Sequence, residues 1–587
     1  MSIDTESLGP DEATIRTLQR AQTIGCNQLE SPAMRHLLRM MQPTGPQDVM
    51  KVLALIRPGA ASIGMKEVFI RRHRGLEPVP GDDDCELSIA GKTTTATEDS
   101  EKSEKTHRSH YLSETSVFSV AGCSSDVAIL SDPSLTPEQK VRRLLRGSYG
   151  VMLYEDDVML VAAALLGKSL DEADRFRKAV QKCHDDRARL ALSRQFLDAC
   201  EANGVEAAFA RDMWVQMAKY NAYSFCRAHA ASYAVLAYAG AYLKTHYPLE
   251  FWVACLNNNQ SMYPPRCYIE EAKRQGVEFL LPCVNRSGEE YTLEENSGEL
   301  VIRHSGFGIR EDTTGMSNAE CRMPDAGSIR VGLGCVGGLG PVSVKKIIDE
   351  RTAGGAFTGL SNFLSRTRIG REEARSLILC GAFDFTGRRR PALMLELELF
   401  LSSRMGRMGP GRTLLSVDPT VPVVPGDYEP LRKYMDERRI LGLSAREHLM
   451  AIYRPLLAKD WGLVAETKKN QSPRPAVRGS DQIEPIDSRG IESRVDRRVR
   501  LSGVLEAYRS NMTQNGERML FLTMDDEFGL FEVTVFPDAM RRVEPLLGSD
   551  PPYGPYVIEG TVEDQYGAIT VCAQRVELYQ ATVEANT

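Results

Sequence analysis

The period of the hydrophobic pattern changes near residue 496, and that change limits what the chain can fold into. From Asp496 on, DRRVRLSGVLEAYRS, RMLFLTMDD, GLFEVTVFPD and GPYVIEGTVEDQYGAITVCAQRVEL alternate as strands do, with Gly, Asn and Asp turns between them. About five strands of this length predict a small closed barrel of OB type over residues 496–580. Arg509, Arg518 and Phe521 stand on these strands, with Tyr508, Phe531, Phe536 and Tyr566 on or near them. Rings and cations in that mixture suit stacking on a single-stranded nucleic acid, although some of the rings must fill the barrel.

Almost everything before residue 496 reads at helical spacing, so the expected class is multidomain, with a mostly α-helical region ahead of an all-β barrel. A chain of 587 residues needs several cores. No run of about 18 apolar residues occurs, so no membrane contact is expected. The opening MSIDTESLGP lacks the apolar stretch of a secretory signal, and the 13 cysteines contain no Cys-x-x-Cys pair. A cytoplasmic location with reduced thiols and no zinc site is the expectation. The net charge of −7 does not advertise a polyanion partner, but a footprint depends on local clusters, which occur at Arg71–Arg74, Arg142–Arg146, Arg388–Arg390 and Arg497–Arg500.

Capping signals punctuate the first 220 residues. Asp11 precedes one helix, Ser31-Pro32 opens a second, and Ser169 caps SLDEADRFRKAV, whose Arg175, Lys178 and Lys182 form a basic stripe. A short helix stops at Arg57-Pro58-Gly59, and the next ends in Arg71, Arg72, His73 and Arg74. Those cations suit either a polyanion or the dipole of their own helix. Residues 80–130, acidic and Thr-rich, are expected to be a disordered insertion. GSYGVMLY, 147–154, looks β-like, and a helix pair joined at Asn203-Gly204 follows.

The segment YNAYSFCRAHAASYAVLAYAGAYLKTHYPLEF, 220–251, is a polar-aromatic loop running into a long helix. Arg227 and His229 stand two apart at its start, which suits contact with phosphate as well as a structural role. No serine or cysteine pairs with the histidine as a nucleophile.

A helix and strand over 269–285 lead to short β-like segments, ELVIRHSGFGI among them, and then to GLGCVGGLGPVSVKKIIDER. Its Gly332-x-Gly334-x-x-Gly337 fits a dinucleotide fingerprint only as a string, because no βαβ unit surrounds it. The run Gly337–Gly340 reads better as a helical hairpin turn, where Gly338, Gly340, Lys345 and Lys346 can meet a phosphate. A similar unit, FTGLSNFLSRTRIGREEARSLILCGAFD, follows, and polar or Gly/Pro-rich linkers flank a small helical unit over 401–495.

Taken in order, NQLESPAM, IRPGAASIGM, GSYGVMLYEDDVM, AYSFCRAHAASYA, YLKTHYPLEF, GLGCVGGLG, LILCGAFD and ERRILGL resemble the C-terminal part of the alpha subunit of bacterial DNA polymerase III, a C-family polymerase. The resemblance implies a fingers-like region over 1–290, a helix-hairpin-helix module over 291–400 and the OB domain. It implies that Arg57, Lys66, Arg177, Lys178, Arg227 and His229 face an incoming deoxynucleoside triphosphate. Arg71, Arg72 and the hairpin and barrel residues named above would face template-primer or single-stranded DNA.

The same resemblance implies Mg²⁺ for the complete polymerase, held by carboxylates of a palm domain ahead of NQLESPAM. Met1 stands only a few dozen residues before that segment, so the palm and the phosphoesterase-like domain are expected to be missing. Asp156-Asp157 and Asp525-Asp526 are adjacent pairs rather than a strand-borne Asp-x-Asp, and no metal site is expected here. Asn27, Glu155-Asp156-Asp157 and Cys226-Arg227-Ala228 depart from the family's usual residues, with Arg227 keeping the charge. Three readings stand: the distal part of a polymerase completed by a separate palm chain and other replication subunits, a non-catalytic DNA-binding accessory protein, or an inactive remnant.

Overall fold

Helix α7 explains the first half of the chain. In the computed structural model, α1 (Glu12–Gln19), α2 (Pro32–Met41), α3 (Pro46–Leu55), α4 (Met65–His73), α5 (Gly122–Ser131) and α6 (Pro137–Leu144) precede α7 (Glu155–Leu166). Val158 and Leu160–Leu165 are all buried, so α7 presents no solvated stripe and neighbours must cover every side of it. Helices α6 and α8 (Leu170–Lys182) do most of this, with smaller shares from α9 (Asp186–Ala202) and α5, and α10 (Ala207–Tyr220) and α11 (Arg227–His246) come after them in the chain. The structure describes residues 8–56, 64–79, 122–183, 185–220, 225–258, 262–294, 327–402, 426–461, 483–513, 515–547 and 553–579. They form two compact units, one running to His246 and the other taking in Tyr247–Gln565 and the residues from Ile569.

Helix α11 packs through small residues. Ala230, Ala234, Ala237 and Ala241 are fully buried at three- and four-residue spacing, so α1 and α3 approach its backbone closely. Its C-terminal end is fastened. Lys244, almost wholly buried, donates to the carbonyls of Gln22 at 2.8 Å and Ile24 at 2.9 Å. His246 Nε2 lies 2.8 Å from Asp11 Oδ2, the carboxylate that caps α1, and the Asp11 amide donates to the Tyr238 hydroxyl at 2.9 Å.

Two local expectations change. Residues 147–154 form no strand: Tyr149 and Gly150 both take positive φ, 55° and 75°, after a 3-10 turn, and no neighbouring strand pairs with residues 151–153. The expected disordered insertion ends in the helix α5, which packs on α6 and α7, while residues 80–121 lie outside the described set, as do ELVIRHSGFGI and most of both linkers.

The second unit begins with α12 (Pro248–Asn257) and α13 (Pro265–Arg274) beside a small sheet, β1 (Glu278–Leu280), β2 (Thr292–Glu294) and β3 (Ser328–Arg330), in the order β1-β3-β2. Four helices follow: α14 (Pro341–Gly354), α15 (Leu360–Thr367), α16 (Arg371–Leu379) and α17 (Arg390–Ser402). Then come α18 (Pro430–Leu441) and α19 (Leu449–Asp460).

The barrel has β4 (Glu484–Pro485) as an extra edge on β5 (Arg498–Met512), then β6 (Arg518–Asp525), β7 (Leu530–Val535), α20 (Pro537–Leu547), β8 (Tyr556–Gln565) and β9 (Ala568–Leu578). Strand order β5-β6-β7-β9-β8 closes through β5–β8, a five-stranded barrel consistent with the OB fold. Strand β5 closes it alone: residues 498–503 pair with β8 and residues 504–512 with β6, with a register shift between Leu505 and Ala507. Val499, Leu501, Leu520, Leu522, Val533, Ile558 and Val571 fill the interior.

Candidate nucleic-acid interface

In the first unit, α7 and α11 bring their N-termini together. The Asp157 carboxylate accepts the amides of Leu153 at 2.8 Å and Tyr154 at 2.9 Å and so caps α7. The Glu155 amide donates to the Phe225 carbonyl at 2.9 Å, which ties the start of α7 to the chain entering α11. Arg227, the first residue of α11, holds its guanidinium 5.6 Å from the centre of the buried Tyr154 ring. The exposed His229 is set edge-on between Phe225 at 5.6 Å and Tyr233 at 4.5 Å. Arg177 reaches Glu155 at 3.5 Å and Asp174 at 2.8 Å, and Lys178 reaches the same Asp174 at 2.6 Å. Three of the six nucleotide-facing candidates, Arg177, Arg227 and His229, therefore connect to one place through Tyr154, Glu155 and Phe225, and Lys178 joins them only through the Asp174 it shares with Arg177. A further carboxylate, Asp126 of α5, lies 3.9 Å from Arg227.

Burial shapes the charges here. It pushes the Asp157 carboxyl up to about 6, against the two amides that favour the anion. It also raises Asp126, which the neighbouring Arg227 partly offsets.

The contacts of Lys66, Arg71 and Arg72 are with other residues. Arg57 falls outside the described residues. Lys66, on α4, is 3.9 Å from its neighbour Glu67. Arg71 and Arg72 both bind Glu77, at 3.0 Å and 3.2 Å, and Arg72 also donates to the Tyr149 carbonyl at 2.9 Å. The adjacent His73 contacts the Tyr149 hydroxyl at 3.0 Å, and burial lowers its basicity. This helix end organises its own surroundings.

In the second unit, two hairpin tips stand side by side. The first is Gly337–Gly340 leading into α14, and the second is Arg368–Gly370 between α15 and α16. Gly338 takes φ of 86° and Arg368 takes φ of 50°, the left-handed conformation that turns the chain sharply between elements. A Cβ at Gly337 would stand 2.7 Å from the Ile440 carbonyl oxygen, which already accepts the Gly337 amide at 2.8 Å. Both Gly338 and Gly340 are exposed, so backbone amides there are within reach of a ligand. Lys345 is 75 % exposed and pairs with Asp349 at 2.8 Å, and Lys346 is exposed beside it. Arg368 and Arg375 give the second tip cations that the sequence reading passed over. The signal for them was the repeated glycine turn followed by basic residues.

On the barrel, Arg509 and Phe521 are direct cross-strand partners, both exposed, and Arg518 donates to the Ser510 hydroxyl at 2.8 Å. A ring and a guanidinium side by side on an open strand pair suit base stacking. Asp525 and Asp526 do something else. Both are fully buried, Asp525 against Arg274 and 3.5 Å from His448, and Asp526 against the Ser488 amide at 2.8 Å and hydroxyl at 2.6 Å.

The carboxylates do not fit a Mg²⁺ pair. Among the described residues no three His, Cys, Asp or Glu side chains converge on one point. Asp157 is occupied by amides, and Asp525 and Asp526 by cations and a serine.

Two family patterns match. "Bacterial DNA polymerase III alpha subunit finger domain" covers residues 2–93 and 131–204, and "Helix-hairpin-helix motif" covers 276–393. An error-prone DNA polymerase of Symbiobacterium thermophilum is 28 % identical over 97 % of this chain and 46 % of its own length. DNA polymerase III alpha subunits of Aquifex aeolicus and Escherichia coli K12 are 26 % and 25 % identical over 92 % of this chain. The chain is homologous to the bacterial DNA polymerase III alpha subunits. It spans less than half the length of those relatives, 37 % for the Aquifex protein and 39 % for that of Escherichia coli. The finger-domain match contains Lys66, Arg71, Arg72, Arg177 and Lys178, and it leaves out residues 94–130, where most of α5 lies.

Proposed function

We propose that these residues are the fingers, helix-hairpin-helix and OB parts of a DNA-directed DNA polymerase of the alpha-subunit type, acting in the cytoplasm on template-primer DNA and an incoming deoxynucleoside triphosphate. The observation that carries this reading is the convergence of Arg177, Arg227 and His229 on the paired N-termini of α7 and α11. Cations held by rings and carboxylates at helix N-termini suit a triphosphate, whose oxygens can exchange with those carboxylates. The domain boundaries proposed are 1–290, 291–400, 401–495 and 496–580. Phosphoryl transfer is assigned to a palm outside residues 1–587, in a longer polypeptide or in a partner chain, with Mg²⁺ held there.

A second reading, a DNA-binding accessory role without synthesis, draws on the same charge pairing, since Arg177, Lys178 and Arg227 all have a carboxylate neighbour. Primer extension separates the two. The chain alone is expected to bind template-primer without extending it, and to support Mg²⁺-dependent extension once a palm-bearing chain of the same family is added. Extension by the chain alone overturns the assignment of the palm elsewhere. Binding without extension in every combination favours the accessory reading.

A further inference from the structure

We propose that Asp126 is a built-in competitor for triphosphate at Arg227, supplied by a helix most of which lies outside the finger-domain match, as Arg227 itself does. The inference rests on Arg227 facing the nucleotide, and it adds a regulation of that site.

Three observations meet at this pair. Asp126 stands on α5, and its side chain is only 17 % exposed, whereas Arg227 remains 42 % open to solvent. The acid side is therefore anchored in packing, and the cation side is the one that a ligand reaches. Arg227 also has the Tyr154 ring 5.6 Å from its guanidinium, a neighbour that remains when the carboxylate is removed. Residues 94–130 fall between the two stretches matched as finger domain, whereas the other acids of the cluster, Glu155 and Asp174, lie inside the match.

Electrostatics gives the pair its direction. Asp126 sits in surroundings that disfavour its charge, with Asp156 adding repulsion, and Arg227 is the neighbour that compensates. A triphosphate arriving at Arg227 must displace that compensation before its own oxygens take the guanidinium N–H groups. Affinity is thereby lowered by the worth of a partly exposed ion pair, equivalent to about two- to fivefold in binding.

The test is a double-mutant cycle on the full chain, with binding of dATP and, as a second probe, inorganic tripolyphosphate. Asp126→Asn and Asp126→Ala are each expected to tighten both probes about two- to fivefold. Arg227→Ala is expected to weaken both, and the Asp126 effect should vanish in the Arg227→Ala background. Unchanged binding in both Asp126 variants, with Arg227→Ala still weakening it, overturns the competitor while leaving the nucleotide-facing reading intact. Tightening that persists without Arg227 also overturns it, because the acid would then act elsewhere. Indifference of both probes to Arg227→Ala overturns the reading beneath it.

Discussion

Ser343 and Glu373 join the two hairpin tips: the serine hydroxyl donates to one carboxylate oxygen at 2.6 Å, and the other oxygen takes the Gly370 amide at 2.9 Å. Each residue is third in its helix, α14 or α16, so one carboxylate links two turns whose glycines are exposed.

Glu373→Ala should therefore cost about 1–2 kcal/mol in urea unfolding, the worth of a helix cap and a charged hydrogen bond. Duplex affinity at fixed salt should fall severalfold, and Glu373→Gln, which keeps one acceptor oxygen, should lie between.

Gly337 has no room for a side chain, with the Ile440 carbonyl 2.7 Å from where Cβ would stand. Gly337→Ala is expected to lower stability by about 1–3 kcal/mol, read as a drop in Tm, since the obstacle is backbone and cannot rotate away.

Phosphate contacts at the tips should be visible in salt dependence. Lys346→Ala and Arg368→Ala are each expected to reduce the slope of log affinity against log salt by about 1. Lys345→Ala should change it less, because Lys345 already shares its charge with Asp349.

Much of this architecture was legible because its causes are local. Ser31 and Ser169 cap the helices their sequences announce, and the alternation after residue 496 becomes the barrel. The candidate site was legible only in part. Arg227 and His229 stand two apart and the rings beside His229 are local, but the neighbours of Arg227, Tyr154 and Asp126, come from distant segments. Asp126 also lay in a stretch whose composition pointed to disorder, and there it stands on a helix packed on α6 and α7. GSYGVMLY carried β-forming residues but lacked a strand to pair with.

Asp157 predicts a pH dependence. Its carboxyl titrates at about 6 in the folded chain against an ordinary value of 3.8, so the folded state holds its proton longer. The associated stability is fully present below 3.8 and is lost as pH rises through about 6. Asp157→Asn keeps an acceptor for the Leu153 and Tyr154 amides and cannot ionise. Its stability relative to the parent, from urea unfolding at pH 5 and pH 7.5, should improve by about 1 kcal/mol across that interval.

The Lys244 and His246 attachments make the C-terminal end of α11 the fixed end of a lever. The helix is clamped where Lys244 enters two carbonyls and His246 meets Asp11, and it is loaded at Arg227, about 25 Å away at 1.5 Å per residue. The alanine face on α1 and α3 stiffens the length between, so a shift at the clamp is carried along the helix to the tip. The reach of Arg227 and His229 is thus set partly by a lysine and a histidine at the far end of the helix, away from the proposed nucleotide.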